Sequence, residues 1–187
     1  EDTDLERSDK KYETDIIAGL KWLGIEWDGK ITRQSERLDI YEKYLMKLLE
    51  IGSAFYCPHS EEELEKERKE QMANKLTTKH ICEFRNETLD TGGGNLKKGI
   101  IRFKNDAVEP IVFNDEIRGE ISFDPKLLGD FSLAKNPRTP LYNFAVAVDD
   151  SETQISHVIR GEDHISNTPK QILIQEALEI KPPEYAH

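Results

Sequence analysis

The chain has 187 residues, 36% of them hydrophobic and 34% charged, which is polar for a globular protein but sufficient for a packed core. A formal net charge of -11 excludes non-specific nucleic-acid binding driven by bulk electrostatics, so any polyanion must meet a local basic face. There is no apolar run of membrane-spanning length and no signal-peptide pattern, and two cysteines do not make a disulfide framework; a monomer in a reducing cytoplasm is expected.

In chain order, Glu1-Asp2-Thr3-Asp4 places three carboxylates in four residues and reads as a solvated loop. The chain opens without a methionine and stops at Ala186-His187 after Pro182-Pro183, so both ends read as cut from something longer. Ile16, Ile17, Leu20 and Leu23 share one helical face, and Gly24 supplies the stop. Trp22 and Trp27 flank that stop and are expected to pack. A second helix is predicted from Ser35 to Ile51, with Tyr41, Tyr44, Leu45, Leu48 and Leu49 as its apolar stripe and Gly52 as its end. Ala54 to Cys57 is a short strand.

The character then changes. Ser60-Glu61-Glu62-Glu63 is a capping box opening a charged, solvated helix to about Met72. Thr77 to Lys98 shows little periodicity, and Gly92-Gly93-Gly94 marks a flexible turn. Three strands are predicted next: one around Ile101 and Phe103, one over Ile117, Ile121 and Phe123, and one from Phe131 to Ala134. Residues 54–135 therefore read as an α+β module inserted between two α/β pieces, 1–53 and 136–187, with no internal repeat.

The run from Tyr142 to Thr168 concentrates polar chemistry: an aromatic hydroxyl, Asp149-Asp150, Arg160, Glu162-Asp163, His157 and His164. Ile155, His157 and Ile159 alternate with Ser156, Val158 and Arg160, a pattern that fits a buried strand ending at Arg160-Gly161. Thr168 is a candidate N-cap, Pro169 suits a first helical turn, and Gln171 completes a T-x-x-Q capping box. A strand that delivers an arginine at its carboxyl end, just before a helix, has the layout of a ligand site in an open α/β sheet. The alternative role for Arg160 is a structural ion pair with Asp149 or Glu162.

Cys57-x-His59 and His80-x-Cys82 are two pairs of soft ligands at i, i+2 spacing. Each pair can close one edge of a tetrahedral zinc site; the alternative is two free cysteines and two surface histidines. There is neither a G-x-x-x-x-G-K-[ST] phosphate loop nor G-x-G-x-x-G, and no nucleophile stands at a telling distance from His157 or His164.

Three blocks together carry a family resemblance. The first is Glu1-Asp2-Thr3-Asp4, Arg7-Ser8, Leu20-Lys21-Trp22-Leu23-Gly24-Ile25 and Gln34-Ser35-x-Arg37. The second is Asp115-x-Ile117-Arg118-Gly119. The third is Tyr142-Asn143-Phe144-Ala145, Val148-Asp149-Asp150, His157 through His164 and Asn167-Thr168-Pro169-Lys170-Gln171. The chain resembles bacterial glutamyl-tRNA synthetases, class I aminoacyl-tRNA synthetases, over essentially its whole length. The resemblance implies a Rossmann-like catalytic domain split by an insertion that binds the tRNA acceptor stem. It also implies formation of glutamyl adenylate from glutamate and ATP with magnesium, then transfer to the 3′ end of tRNA. By the same likeness Glu1 pairs with the substrate α-ammonium, Tyr142 hydrogen-bonds the glutamate, Arg160 holds its side-chain carboxylate in a fork, and Asp163 contacts ATP. The family's HIGH and KMSKS-like motifs would lie outside these residues, so no phosphate-stabilising catalytic group is expected within them and the chain alone is expected not to activate glutamate.

Some members of that family carry zinc on a Cys-x-Cys and a later Cys-x-His; here His59 replaces a cysteine and His80 stands on the other side of Cys82. Lys135-Asn136-Pro137-Arg138 stands where the family usually has an Asp-Gly turn. Lys97, Lys98, Arg102, Lys104 and Arg118 are the candidate acceptor-stem face, with solvated strand edges as the alternative. The competing functions are a shorter paralogue that glutamylates the queuosine base of tRNA, and a non-catalytic module that binds glutamate or tRNA. The strands after Gly99 favour the full synthetase over the first.

Overall fold

The structure, a computed structural model, describes residues 2–3, 8–76, 78–87 and 99–187. Helix α1 (Lys10–Trp22) is N-capped by Asp9, whose carboxylate accepts from the Lys11 N–H at 2.9 Å. Helix α2 (Leu38–Glu50) follows a 3₁₀ turn at Gln34–Glu36. In chain order there follow β1 (Ala54–Cys57), α3 (Glu61–Ala73), β2 (Ile100–Phe103), β3 (Ile111–Asp115), β4 (Gly119–Phe123), α4 (Pro125–Leu128), β5 (Phe131–Asn136) and β6 (Thr139–Pro140). The chain then runs through α5 (Tyr142–Glu152), β7 (His157–Ile159), α6 (Thr168–Ala177) and β8 (Glu184–Ala186).

Among the described residues, two four-stranded sheets organise the chain. The first is antiparallel, in the order β1-β2-β5-β6. The second has the order β4-β3-β8-β7; β3, β8 and β7 are parallel, and β4 closes an antiparallel hairpin on β3. The passage from β7 through α6 to β8 is a β-α-β unit, which makes this half α/β. The segment 54–135 does not close on itself: its β3–β4 hairpin pairs with β8, and β6 from beyond it extends the first sheet. One core spans both sheets and the helices between them, with Tyr41, Phe103, Phe113, Phe144, Ile174 and Tyr185 in a single cluster.

Several predicted elements form as expected. The α2 stripe is buried at Tyr41, Leu45, Leu48 and Leu49, and Gly52 takes the left-handed φ of 76° that ends the helix. The Ser60–Glu63 capping box is present, and α3 buries no residue. The turn before α5 is settled by Asn136, whose carboxamide oxygen accepts from the Arg138 N–H at 2.9 Å, while Asn136 pairs with Thr139 across the hairpin. Arg138 then reaches α2, bonding Asp39 at 2.7 Å and Glu42 at 3.0 Å.

Other expectations are corrected. The apolar face of α1 is only partly covered: Ile17 and Leu20 are half-buried, while Ile16 and Leu23 are 63% and 62% exposed. Trp22 is 83% exposed, and no sheet lies beneath it; a bidentate Arg33–Glu13 pair at 2.8 and 2.7 Å ties the helix down instead. The strand assigned over Ile117 begins at Gly119, because Ile117 sits in the β3–β4 turn, and β3 had not been foreseen. The strand ending at Arg160 is not buried: β7 lies at the sheet edge, and Ile159 is 79% exposed. Thr168 is not the N-cap. Asn167 takes that position, and the expected capping box is absent because the Thr168 and Gln171 side chains serve Arg160 instead.

The Gln34-Ser35-x-Arg37 motif proves to be a clamp between α2 and α5. Asp149 accepts from Gln34 Nε2 at 2.9 Å, Arg37 Nε at 2.9 Å, and the Tyr41 hydroxyl at 2.9 and 2.8 Å. With the Arg37 and Asp149 side chains mostly buried, removing the carboxylate strands three donors. Asp149→Ala is expected to cost about 3 kcal/mol, read as a lowered urea midpoint with unchanged slope.

Candidate functional site

Arg160 leaves the carboxyl end of β7, and its backbone N–H is pinned to Ala186 O of β8 at 3.0 Å. Its guanidinium is held by neutral acceptors. Nε donates to His187 Nε2 at 3.0 Å, and Nη2 donates to Thr168 Oγ1 at 2.7 Å and Gln171 Oε1 at 3.0 Å. Its carbon lies 5.5 Å from the centroid of the Tyr185 ring, within cation–π range. Neither carboxylate named as an alternative partner takes it. Asp149 is held by Arg37, Glu162 pairs with Arg118, and Arg160 forms no ion pair among the described residues. A cation fixed in place without being neutralised is suited to an incoming anion.

Tyr142, at the start of α5, belongs to the same network. Gln171 Nε2 donates to Asn143 Oδ1 at 3.1 Å, and Asn143 Nδ2 donates to Asn167 Oδ1 at 3.4 Å. His164 Nδ1 lies 3.3 Å from Asn167 Nδ2 and 3.3 Å from the Tyr142 hydroxyl. The short α5–α6 contact thus joins Arg160 to Tyr142 through side-chain amides. Asp163, in the 3₁₀ turn Glu162–His164, has a side chain 80% exposed and open to a solvent-borne ligand.

Beneath Arg160 lies a pair that the sequence did not announce. Asp115 ends β3 and is almost wholly buried, and His187 Nδ1 stands 2.6 Å from its Oδ2. Burial alone would raise the Asp115 carboxyl. Hydrogen bonds from the His187 side chain and from the backbone of Arg118, Ile117 and His187 outweigh it and bring the group down to about 2. The Asp-x-Ile-Arg-Gly block was the available signal, since its Arg118 donates to His187 O at 3.2 Å as well as pairing with Glu162. Gly119 completes that turn at a φ of 76°.

The candidate acceptor-stem residues are scattered. Arg102, expected on a solvated face, is 8% exposed, and its guanidinium is used on Ser132 Oγ and Asp130 O between β2 and β5. Lys104 lies 3.8 Å from Asp106. Glu1, Lys97 and Lys98 fall outside the described residues.

The two Cys/His pairs do converge. One ligand atom from each of Cys57, His59, His80 and Cys82 lies within 4.8 Å of all the others. Cys57 Sγ stands 3.4 Å from His59 Nδ1 and 3.4 Å from His80 Nε2, and Cys82 Sγ is 3.8 Å from His59 Nδ1. Ligand bonds of about 2.0–2.3 Å in a tetrahedron give edges of roughly 3.3–3.8 Å, which these three separations match, and the two-sulfur, two-nitrogen donor set suits zinc. Glu67 on α3 stands 2.5 Å from the other ring nitrogen of His80, the usual outer carboxylate of a metal-bound histidine. Gly99 lets the chain pass close by, since a Cβ there would collide with the Cys57 carbonyl. Burial pushes the Cys82 thiol up to about 11, and a bound cation would reverse that preference.

Residues 1–187 match the family of class I tRNA synthetases (E and Q), catalytic domain. The chain is 48% identical to the glutamate–tRNA ligase of Carboxydothermus hydrogenoformans over all of its own length and 41% of that protein. It is 49% identical to the same enzyme of a Hydrogenobaculum species, again over all of this chain and 41% of the relative. Among solved structures, a glutamate tRNA ligase from Elizabethkingia meningosepticum in complex with its amino acid superposes with a TM-score of 0.86 at 33% identity, covering 99% of this chain and 40% of that one. The chain therefore spans about 41% of the length of the curated relatives it matches.

Proposed function

The chain belongs to the catalytic-domain family of the class I tRNA synthetases for E and Q, and from that premise we propose that the protein carrying it is a glutamate–tRNA ligase. It activates glutamate with ATP and magnesium to glutamyl adenylate and transfers the glutamyl group to the 3′ end of tRNA. The observation that carries this reading is Arg160, a guanidinium fixed by three neutral acceptors at the carboxyl end of a parallel strand. Its remaining N–H groups, the two on Nη1, offer charge-assisted hydrogen bonds to the side-chain carboxylate of glutamate. Glutamine presents donors to those groups and leaves them unpaired, which is a strong basis for rejection.

Tyr142 hydrogen-bonds the same substrate, Glu1 receives its α-ammonium, and Asp163 contacts ATP from its exposed turn. ATP and magnesium supply the phosphoryl chemistry; the contribution of these residues is to bind and orient. Residues 1–53 and 136–187 form the catalytic part in this reading, and 54–135 the acceptor-stem part. In this reading Lys97, Lys98 and Lys104 contact the acceptor stem; Arg118 is committed to Glu162 and the His187 carbonyl, and Arg102 is withdrawn by its burial. Cys57, His59, His80 and Cys82 hold a structural zinc.

The test is charging by the full protein that carries these residues, with unmodified tRNA. Glutamate-dependent acylation is expected, with glutamine accepted far less well. Glutamylation confined to queuosine-bearing tRNA, or binding of glutamate without activation, would replace this reading with one of its competitors.

A further inference from the structure

We propose that Asp115 and His187 form a positioning pair for Arg160: the buried carboxylate fixes the imidazole in the tautomer whose Nε2 is a bare acceptor, and that acceptor aims the guanidinium at its guest. The proposal rests on the reading of Arg160 as the ligand of the substrate carboxylate.

The tautomer follows from the partners. Arg160 Nε is an N–H donor in every protonation state it reaches in a protein, and it stands 3.0 Å from His187 Nε2. Nε2 must therefore carry a lone pair, and Thr168 Oγ1, at 3.0 Å, can donate to the same atom. The ring proton is then on Nδ1, 2.6 Å from Asp115 Oδ2. An ionised carboxylate can only accept, so it enforces that arrangement. The other bonds of Asp115 are all accepted ones. Oδ1 receives the N–H groups of Ile117 and Arg118, each at 3.0 Å, and Oδ2 receives the His187 backbone N–H at 3.0 Å. The His187 and Asp115 side chains are both fully buried, so water cannot substitute for a misdirected donor.

The same geometry explains why three elements meet here. β3 delivers Asp115, β8 runs into His187, and β7 delivers Arg160, so the aim of the guanidinium is set by strand register rather than by a loop. From the other side Gln171 fixes Nη2, and its amide is oriented in turn by Asn143. Among the described residues no carboxylate touches Arg160 directly; the nearest negative charge in this chain of contacts acts through the imidazole and leaves the guanidinium its full charge for the guest.

Asp115→Asn is the informative change. An asparagine oxygen can still accept from Ile117 and Arg118, which leaves its NH2 facing His187. That group opposes the His187 backbone N–H and makes Nδ1 an acceptor, which drives the ring proton to Nε2 and against Arg160 Nε–H. The experiment uses the full protein with 15N-labelled histidine and reads two quantities: the ring-nitrogen shifts of His187 and the KM values for glutamate and ATP. Expected are an Nδ1–H tautomer in the parent, its loss in Asp115→Asn, and a KM for glutamate raised about 10-fold or more with that for ATP unchanged. An Nε2–H tautomer in the parent overturns the proposal. So does an unchanged KM for glutamate in Asp115→Asn when Arg160→Lys raises it. If Arg160→Lys itself leaves that KM unchanged, the substrate reading of Arg160 fails first and removes the positioning role with it. Should Asp115→Asn not fold, His187→Gln and His187→Leu decide. Glutamine retains one donor and one acceptor and is expected to stay within about threefold of the parent KM, while leucine is expected to lose about 10-fold or more. Equal losses in the two would make His187 a packing residue and end the proposal.

Discussion

Arg160→Lys is expected to raise the KM for glutamate by about 100-fold or more in the full protein, with the KM for ATP nearly unchanged. Arginine makes three contacts within the protein, to His187, Thr168 and Gln171, and keeps further N–H groups for a guest. An ammonium group has three donors at one point and no plane. It cannot span those acceptors and at the same time keep donors directed at a guest carboxylate. Each charge-assisted hydrogen bond lost costs about 1.5–3 kcal/mol, and at least two are lost, so a change of about two orders of magnitude is a lower bound. Steady-state ATP–pyrophosphate exchange at varied glutamate measures it. A KM within a factor of about two of the parent would place the guanidinium outside the amino-acid pocket and take the proposed function's main support away.

The second large effect concerns the Cys/His cluster. Purified protein is expected to carry about one zinc per chain, and Cys57→Ser or Cys82→Ser to abolish it. The cluster joins the end of β1 to the segment around His80, where the neighbouring apolar packing is limited to Phe55, the two cysteines and Phe84. With so little buried surface locally, metal binding contributes directly to the stability of this part of the chain. If free zinc stands about 1,000-fold above its dissociation constant, its removal costs about 4 kcal/mol, visible as a chelator-dependent fall in the unfolding temperature. Elemental analysis and calorimetry with and without chelator supply the measurement. Metal-free protein that melts identically in both would leave four ordinary side chains that happen to meet. Glu67→Gln is a milder companion, since it loosens the orientation of His80 without removing a ligand.

The candidate site was legible to different depths. Arg160 stood out at the end of an alternating segment just before a helix start, Tyr142 through the family resemblance, and the two metal pairs by spacing alone. Asp115 and His187 did not, because their partnership depends on β3 and β8 lying side by side, and residues this far apart in sequence leave no local periodicity. Helix α5 was missed for a related reason. Phe144, Ala145, Val146, Ala147 and Val148 are all buried, so no polar face interrupts them to reveal a helical period. The role of Thr168 was misjudged because a threonine before a proline looks like a cap; tertiary contact with Arg160 claimed its hydroxyl instead.

What the sequence determined by itself is what short-range chemistry governs: the stripe of α2, the reciprocal cap of α3, the glycine stops and the ligand types at 57, 59, 80 and 82. Those depend on neighbours within a turn or two, and neighbours are visible in a string of letters. Only the tertiary structure decided which side of each strand meets water, which carboxylate holds which arginine, and that Asp149 is a clamp between helices while Arg160 is left without a counter-charge among the described residues. Charges pair through space, and a chain with 37 acidic and 26 basic side chains allows too many pairings for order along the sequence to choose among them.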